Sequence, residues 1–376
     1  MQTATPALTA PPAAKPATNS SPQPPRAFHL GALSEYQPLA VAAGGLLVAL
    51  LLVYLLILRT RPHWLLFLSD DGLEIPIGSD GRPWKLFSRQ FQSLKYREPV
   101  LDAWVAKHRP RIQDDFLKIN TVKQRRHHLS LPVIVEEKLE LDLTPERLKE
   151  LGAVEGLVLI SGEGGIGKTS LAMQIAKWAL AGKLGNRPVL PVLVDDDQAL
   201  QEEGSLLSRV YCNLMAKIPR DGAPPPTLPL VRALLEKGRI LVILDHFSEL
   251  GDVRQLRLSP ITGDFPTAWT VVTSRRVESF GERVVHHLKP QRLTADRLWP
   301  FFTDYLRLLQ AEEALDFDLH ERAVKRLREI TAGLEDEKNA ITVLLAKLYI
   351  DVVRDKRQNS GEETLPESVP ELMIQF

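Results

Sequence analysis

The segment Ser161-Gly-Glu-Gly-Gly-Ile-Gly-Lys-Thr-Ser-Leu171, directly behind the apolar run Gly156-Leu-Val-Leu-Ile160, constrains this chain more than any other stretch. Gly162, Gly164, Gly165 and Gly167 let the backbone turn so tightly that successive N–H groups can point inward at phosphate oxygens. Lys168 then supplies an ammonium for β/γ-phosphates and Thr169 a hydroxyl for Mg²⁺, while Glu163, Ile166 and Ser170 complete the cradle. An ordinary glycine turn is the alternative. It does not account for a buried strand in front and a helix over Thr169 to Ala181 behind, whose N-terminus favours anions.

A second carboxylate motif lies downstream. Arg239-Ile-Leu-Val-Ile-Leu-Asp245 is a continuous aliphatic run ending in an acid, as expected of a parallel strand buried on both faces. Asp245 is the candidate for the Mg²⁺ shell beside Thr169, the other reading being a helix cap. Arg187 to Val194 and Trp269 to Thr273 add two more apolar runs, and strands alternating with amphipathic stretches predict a parallel α/β sheet flanked by helices. Thr273 or Ser274, at the carboxyl end of the last run, is placed to sense a γ-phosphate and Arg275 to contact it; a solvated strand end is the alternative.

Taken in order, Gly-Glu-Gly-Gly-Ile-Gly-Lys-Thr-Ser-Leu, Leu-Val-Ile-Leu-Asp-His-Phe-Ser-Glu and Thr-Val-Val-Thr-Ser-Arg resemble the STAND class of P-loop NTPases, most of all its NACHT branch, over Leu157 to Asp351. The resemblance implies a P-loop NTPase sheet followed by a small helical domain, ATP/ADP and Mg²⁺ as cofactors, and a regulatory switch that self-associates or engages a protein partner. It gives catalytic roles to Lys168, Asp245, Glu249 and Arg275, phosphate binding to Gly162 through Ser170, and the metal to Thr169 and Asp245. The match departs at Ser248, where the family usually has an acid, and at His246, where it has a small residue, leaving Glu249 alone as water-activating carboxylate. Slow hydrolysis follows. The family's Gly-x-Pro element is missing from Lys338-Asn-Ala-Ile-Thr342.

Leu39 to Leu58 contains no charged residue. Roughly twenty helical residues span the ~30 Å hydrocarbon core, so one transmembrane helix is expected; the run is too long and too far from Met1 for a cleaved signal. Arg59 and Arg61 follow the span at once, whereas the nearest basic residue before it is Arg26, which orients the C-terminal bulk to the cytoplasm of a single-pass protein, with a bacterial inner membrane as the expected site.

The expected organisation is a disordered Pro/Ala-rich tail over 1–38, the span over 39–58, a juxtamembrane linker or small domain over 59–155, the NTPase core over 156–290, a helical domain over 291–357 and a polar tail over 358–376. Within the linker, Leu73 to Ile77 is read as an edge strand and Pro99 to Phe116 as a helix with Val100, Trp104 and Val105 on one face. Lys123 to His128 is a connector or a contact to anionic headgroups. Past the sheet, Val284-Val285 is read as a short strand, Thr294 as the start of a helix, and Ile341, Leu344, Leu345, Leu348 and Val352 as a helical stripe forming a lid or ordinary core. No winged-helix module or repeat array follows Arg357, which suggests a chain without the family's usual sensor or a shortened form.

Lys plus Arg and Asp plus Glu are equal at 47 each, so no overall basic field points to nucleic acid. One cysteine, Cys212, excludes an internal disulfide and a cysteine zinc cluster and is read as packed in an apolar helix face. His127, His128, His286 and His287 are adjacent pairs without i,i+4 ligand spacing, and no zinc is assigned. The function expected is a membrane-anchored ATP/ADP-binding signalling switch with slow hydrolysis. An active ATPase or phosphotransferase, or a non-hydrolysing scaffold, are the other classes.

Overall fold

The computed structural model describes residues 32–67, 73–75, 84–86, 93–125, 129–152, 156–194, 204–218, 225–261, 265–266, 269–311, 317–331, 340–360 and 365–366. The chain divides into two compact units, Met1–Leu56 and Ile57–Phe376.

The first unit is carried by helix α1, Ala32–Thr60. Its backbone is helical from Ala32, so the helix begins seven residues before the span read from the sequence. Val41–Thr60 has a mean hydropathy of 2.8 with none of it buried, the composition of a helix able to cross a membrane.

In the second unit a two-stranded antiparallel pair, β1 Leu73–Ile75 and β2 Trp84–Leu86, stands apart from a seven-stranded sheet. Helix α2, Glu98–Lys118, begins at Pro99 in its first turn, where the missing N–H costs nothing, and buries Val100, Trp104 and Val105 on one face as the sequence predicts. The strands β3 Val133–Val135 and β4 Lys138–Glu140 form a hairpin, followed by α3 Pro145–Glu150. Next come β5 Leu157–Ser161, α4 Lys168–Leu180, β6 Leu190–Val194, α5 Leu206–Lys217 and α6 Leu228–Glu236. They are followed by β7 Ile240–Leu244, α7 Asp252–Leu258, β8 Thr270–Ser274 and β9 Val285–Pro290.

The sheet order is β4-β3-β9-β5-β8-β7-β6. The five strands from β9 to β6 are parallel, and every residue of β5, β6, β7 and β8 is buried, as expected of a parallel sheet covered on both faces. Val158, Ile160, Leu193, Leu241, Ile243, Val271 and Leu288 share one cluster with Leu171, Ile175 and Ala176 of α4, which pins the helix behind the glycine loop to the sheet.

The sequence partition differs from this arrangement at the N-terminal side. β3 lies antiparallel to β9, with Val133 opposite Pro290 and Val135 opposite Leu288, so part of the segment read as a linker or small domain is built into the same sheet as the glycine loop. Three-residue strands are too short for alternation to register in the sequence. Cys212 sits on α5 yet is exposed, because the buried face of that helix is Leu206, Leu207, Arg209, Val210 and Leu214.

After β9 the helices α8 Leu298–Leu308, α9 Phe317–Thr331 and α10 Val343–Ser360 form a helical annex with its own core around Phe302, Leu319, Leu327, Tyr349 and Ile350. Of the stripe read in the sequence, Ile341 and Val352 are buried in this core and Leu345 packs against it. Ala346, Tyr349, Ile350 and Val353 are buried, whereas Leu344 is 49% exposed. Residues 1–31, most of the polar tail and Arg126 to His128 lie outside the described residues.

Candidate functional site: the glycine loop and the ends of β5, β7 and β8

Parallel register brings the candidate residues to one edge. Leu244 pairs with Val272 and Ser161 with Ser274, so the residues following β5, β7 and β8 emerge side by side. β8 lies between β5 and β7. A ligand crevice outside the carboxyl ends of parallel strands is the general arrangement for such sheets.

The loop between β5 and α4 holds three of its glycines in backbone conformations that favour glycine, Gly162 at φ +149° among them. Gly165 has φ +74° and Gly167 φ +102°, conformations that residues with a Cβ rarely adopt, and a Cβ on Gly165 would lie 2.9 Å from Leu344 Cβ. Gly164 has open space around it and a backbone that does not require glycine. Gly162 donates its N–H to Ser274 O at 3.2 Å, which ties the loop to β8, and Ile166 is buried beneath it. Helix α4 starts at Lys168, so its unpaired N-terminal amides face the loop.

Lys168 Nζ donates to Glu163 O at 2.6 Å. Its pKa is lowered, first by burial and then by the Arg275 charge, with Glu249, Asp245 and Glu163 acting in the opposite sense. An ammonium desolvated in this way has the more to gain from a polyphosphate. The Glu163 carboxylate forms a two-pronged ion pair with Arg292, Nη2 to Oε2 at 2.5 Å and Nε to Oε1, and the guanidinium holds its pKa below the ordinary value. Ser170 lines a small cavity with Ser130, Leu131, Leu143 and Pro290.

Asp245 collects two hydroxyls on one oxygen. Thr169 Oγ1 donates to Oδ1 at 3.0 Å and Thr273 Oγ1 donates to the same atom at 2.5 Å. Thr273 in turn accepts the His246 N–H at 2.9 Å, which fixes the left-handed turn (φ 56°) behind β7. Asp245 Oδ2 is buried without a hydrogen-bond partner, 3.3 Å from His246 Nδ1. A hydroxyl and a carboxylate with one uncommitted oxygen fit a hard, largely hydrated divalent cation.

The remaining predicted residues take different positions. Arg275 Nε pairs with Glu249 Oε1 at 2.8 Å, and the Arg275 N–H is received by Ser248 Oγ at 2.8 Å. Ser274 donates to Glu278 at 2.9 Å. The structure therefore joins Thr169, Asp245 and Thr273 in one network, holds Lys168 on the Glu163 carbonyl, commits Thr273 to Asp245 in place of a phosphate, and holds Glu249 and Arg275 on each other. Arg292 is a participant that sequence reasoning missed; only its position just past β9 could have drawn attention to it.

A glycine loop between a central strand and a helix, with a hydroxyl on the helix facing an acid two strands away, defines the P-loop NTPase class. Residues 156–307 match the NACHT domain family, and this segment is a NACHT-type P-loop NTPase domain. No curated protein matches the chain. Among solved structures it is similar to a Thermotoga maritima RuvB variant at 17% identity, covering 61% of this chain and 64% of that one with a TM-score of 0.34. It is also similar to C. elegans PCH-2 at 11% identity, 73% and 67% coverage and a TM-score of 0.35. A third is Aeropyrum pernix Orc1 in complex with DNA, at 18% identity, 61% and 63% coverage and a TM-score of 0.36. The chain thus spans just under two thirds of that RuvB variant, and none of these resemblances says what this chain acts on.

Proposed function

We propose that this protein is a membrane-anchored nucleotide switch, binding ATP and ADP with Mg²⁺, hydrolysing slowly and self-associating according to the nucleotide held. The nucleotide part rests on the glycine loop with Lys168 and on the network of Thr169, Asp245 and Thr273 at the adjoining strand ends. Thr169 and Asp245 would hold the Mg²⁺, which supplies charge neutralisation at the phosphates when bound. Lys168 would add its ammonium, and the loop amides would orient the polyphosphate.

Slow turnover is supported by one observation: the Glu249 carboxylate is paired with Arg275, and a base so engaged accepts a proton from water poorly. The anchor is supported by Val41–Thr60, with Arg59 and Arg61 at its end and the Arg61 guanidinium 4.8 Å above the ring of the exposed Trp64, a pairing suited to the headgroup level on the cytoplasmic side.

The test is calorimetry on the detergent-extracted protein with Mg·ADP and Mg·ATP, followed by turnover of the parent, Lys168→Ala and Glu249→Gln. Binding lost in Lys168→Ala, and turnover far below one per second in the parent, is the expected result. Fast multiple turnover would turn the reading toward an active ATPase or phosphotransferase; no heat with either nucleotide would turn it toward a scaffold.

A further inference from the structure

The glycine loop is tied to the helical annex at two points. Arg292, just past β9, grips both carboxylate oxygens of Glu163, and its Nη1 reaches Ala340 O at 3.5 Å. Beside it Leu293 and Ile341 exchange backbone hydrogen bonds of 2.8 and 2.9 Å. At the second point the Leu344 N–H, in the first turn of α10, donates to Gly165 O at 3.0 Å. Leu344 packs so closely there that no side chain could replace Gly165.

Glu163 is held twice, its side chain by Arg292 and its carbonyl by Lys168. It is also the acid within the loop that would surround a polyphosphate. An unneutralised carboxylate there repels the ligand, and a bidentate guanidinium removes that repulsion while fixing the side chain.

We infer that Arg292 is a positioning residue of the nucleotide site, screening Glu163 from the phosphates on one side and holding the loop to the annex on the other. The inference rests on the nucleotide-binding reading above. Arg292 makes no claim on the reacting atoms; it acts through Glu163 on one side and through Ala340 on the other.

Two measurements on the full chain in detergent test it. In the nucleotide-free protein, hydrogen exchange at the Ile341 and Leu344 amides speeds up about tenfold in both Arg292→Ala and Glu163→Gln, equivalent to about 1.4 kcal/mol. Calorimetric affinity for Mg·ADP falls about tenfold in Arg292→Ala and recovers when Glu163→Gln is added to Arg292→Ala. A purely structural ion pair would not give that recovery. Arg147→Ala, which loses ion pairs with Glu140 and Glu150 elsewhere in the same unit, serves as the control that leaves both readouts unchanged. Should Arg292→Ala fail to fold, Arg292→Lys keeps the cation and loses the fork: affinity is retained and exchange quickens. A parent that binds no nucleotide overturns the proposed function. A parent that binds, with variants that exchange and bind as it does, overturns this inference alone.

Discussion

Thr273 shows how a residue chosen for one role can be committed to another. Its hydroxyl is buried, donates to Asp245 and accepts from the His246 amide, so it fixes the acid and the turn behind it. Thr273→Val keeps the volume and removes both bonds. It is expected to destabilise the fold by about 1–3 kcal/mol, because a buried carboxylate loses a donor, and to weaken Mg²⁺-dependent nucleotide binding. Guanidinium titration of the solubilised protein measures the first effect. Arg275→Ala, whose guanidinium is 63% exposed, should cost less than about 1 kcal/mol in the same titration. Glu163 carries a pH signature. Arg292 holds its carboxyl below the ordinary 4.5 in the folded chain, so the stabilisation is complete above pH 4.5 and is lost as the pH falls through the lowered value. Exchange at the Leu344 amide, corrected for its intrinsic rate, should therefore quicken on acidification below pH 4.5. The glycines, Lys168 and Asp245 could be read from local pattern because their spacing carries the chemistry. Arg292 could not, since it meets Glu163 across 129 positions and no motif marks that contact.

Helix α2 is the element whose role the sequence left most open. Its apolar face was legible from the spacing of Val100, Trp104 and Val105, but its docking partner was not. Arg239, at the start of β7, is fully buried and pairs with Asp102 at 2.7 Å and with Glu98 at 3.7 Å, both on α2. Removing Asp102 leaves the buried cation with only Glu98 at 3.7 Å and the Lys237 carbonyl, whereas removing the cation leaves acids that water can still reach. Asp102→Ala is thus expected to cost about 3–5 kcal/mol in a denaturant titration, and Arg239→Met appreciably less. His108 on the same helix is buried against Trp104, with ring centroids 4.7 Å apart, and faces the positive charges of Lys107 and His63. Burial foremost, then those charges, lowers its pKa from 6.5 to about 4. The unfolded chain therefore takes up this proton first, and stability falls as the pH drops from 6.5 toward 4, by at most about 1.4 kcal/mol per pH unit. His108→Phe should flatten that part of a stability-against-pH curve.

At the scale of the molecule, the helix over Val41–Thr60 has no buried residue, and the second unit is built around a glycine loop. If the helix spans a bilayer, Leu51→Arg near its centre should cost about 3 kcal/mol of insertion and raise the share released from membranes by alkaline extraction, with Mg·ADP affinity unchanged. The parallel strands β5 to β8 were legible as aliphatic runs. The antiparallel extension was not, because β3 and β4 are three residues each and are recruited by β9 across about 150 positions. That extension has a practical corollary for anyone trimming the polypeptide. A recombinant fragment cut to 156–307 would begin after the strand that shields β9, leaving its outer backbone amides open to stray pairing, and would end inside α8, short of the helix whose Leu344 caps Gly165. Such a piece should collect in inclusion bodies, whereas one starting before Glu98 and running past Ser360 should stay in solution.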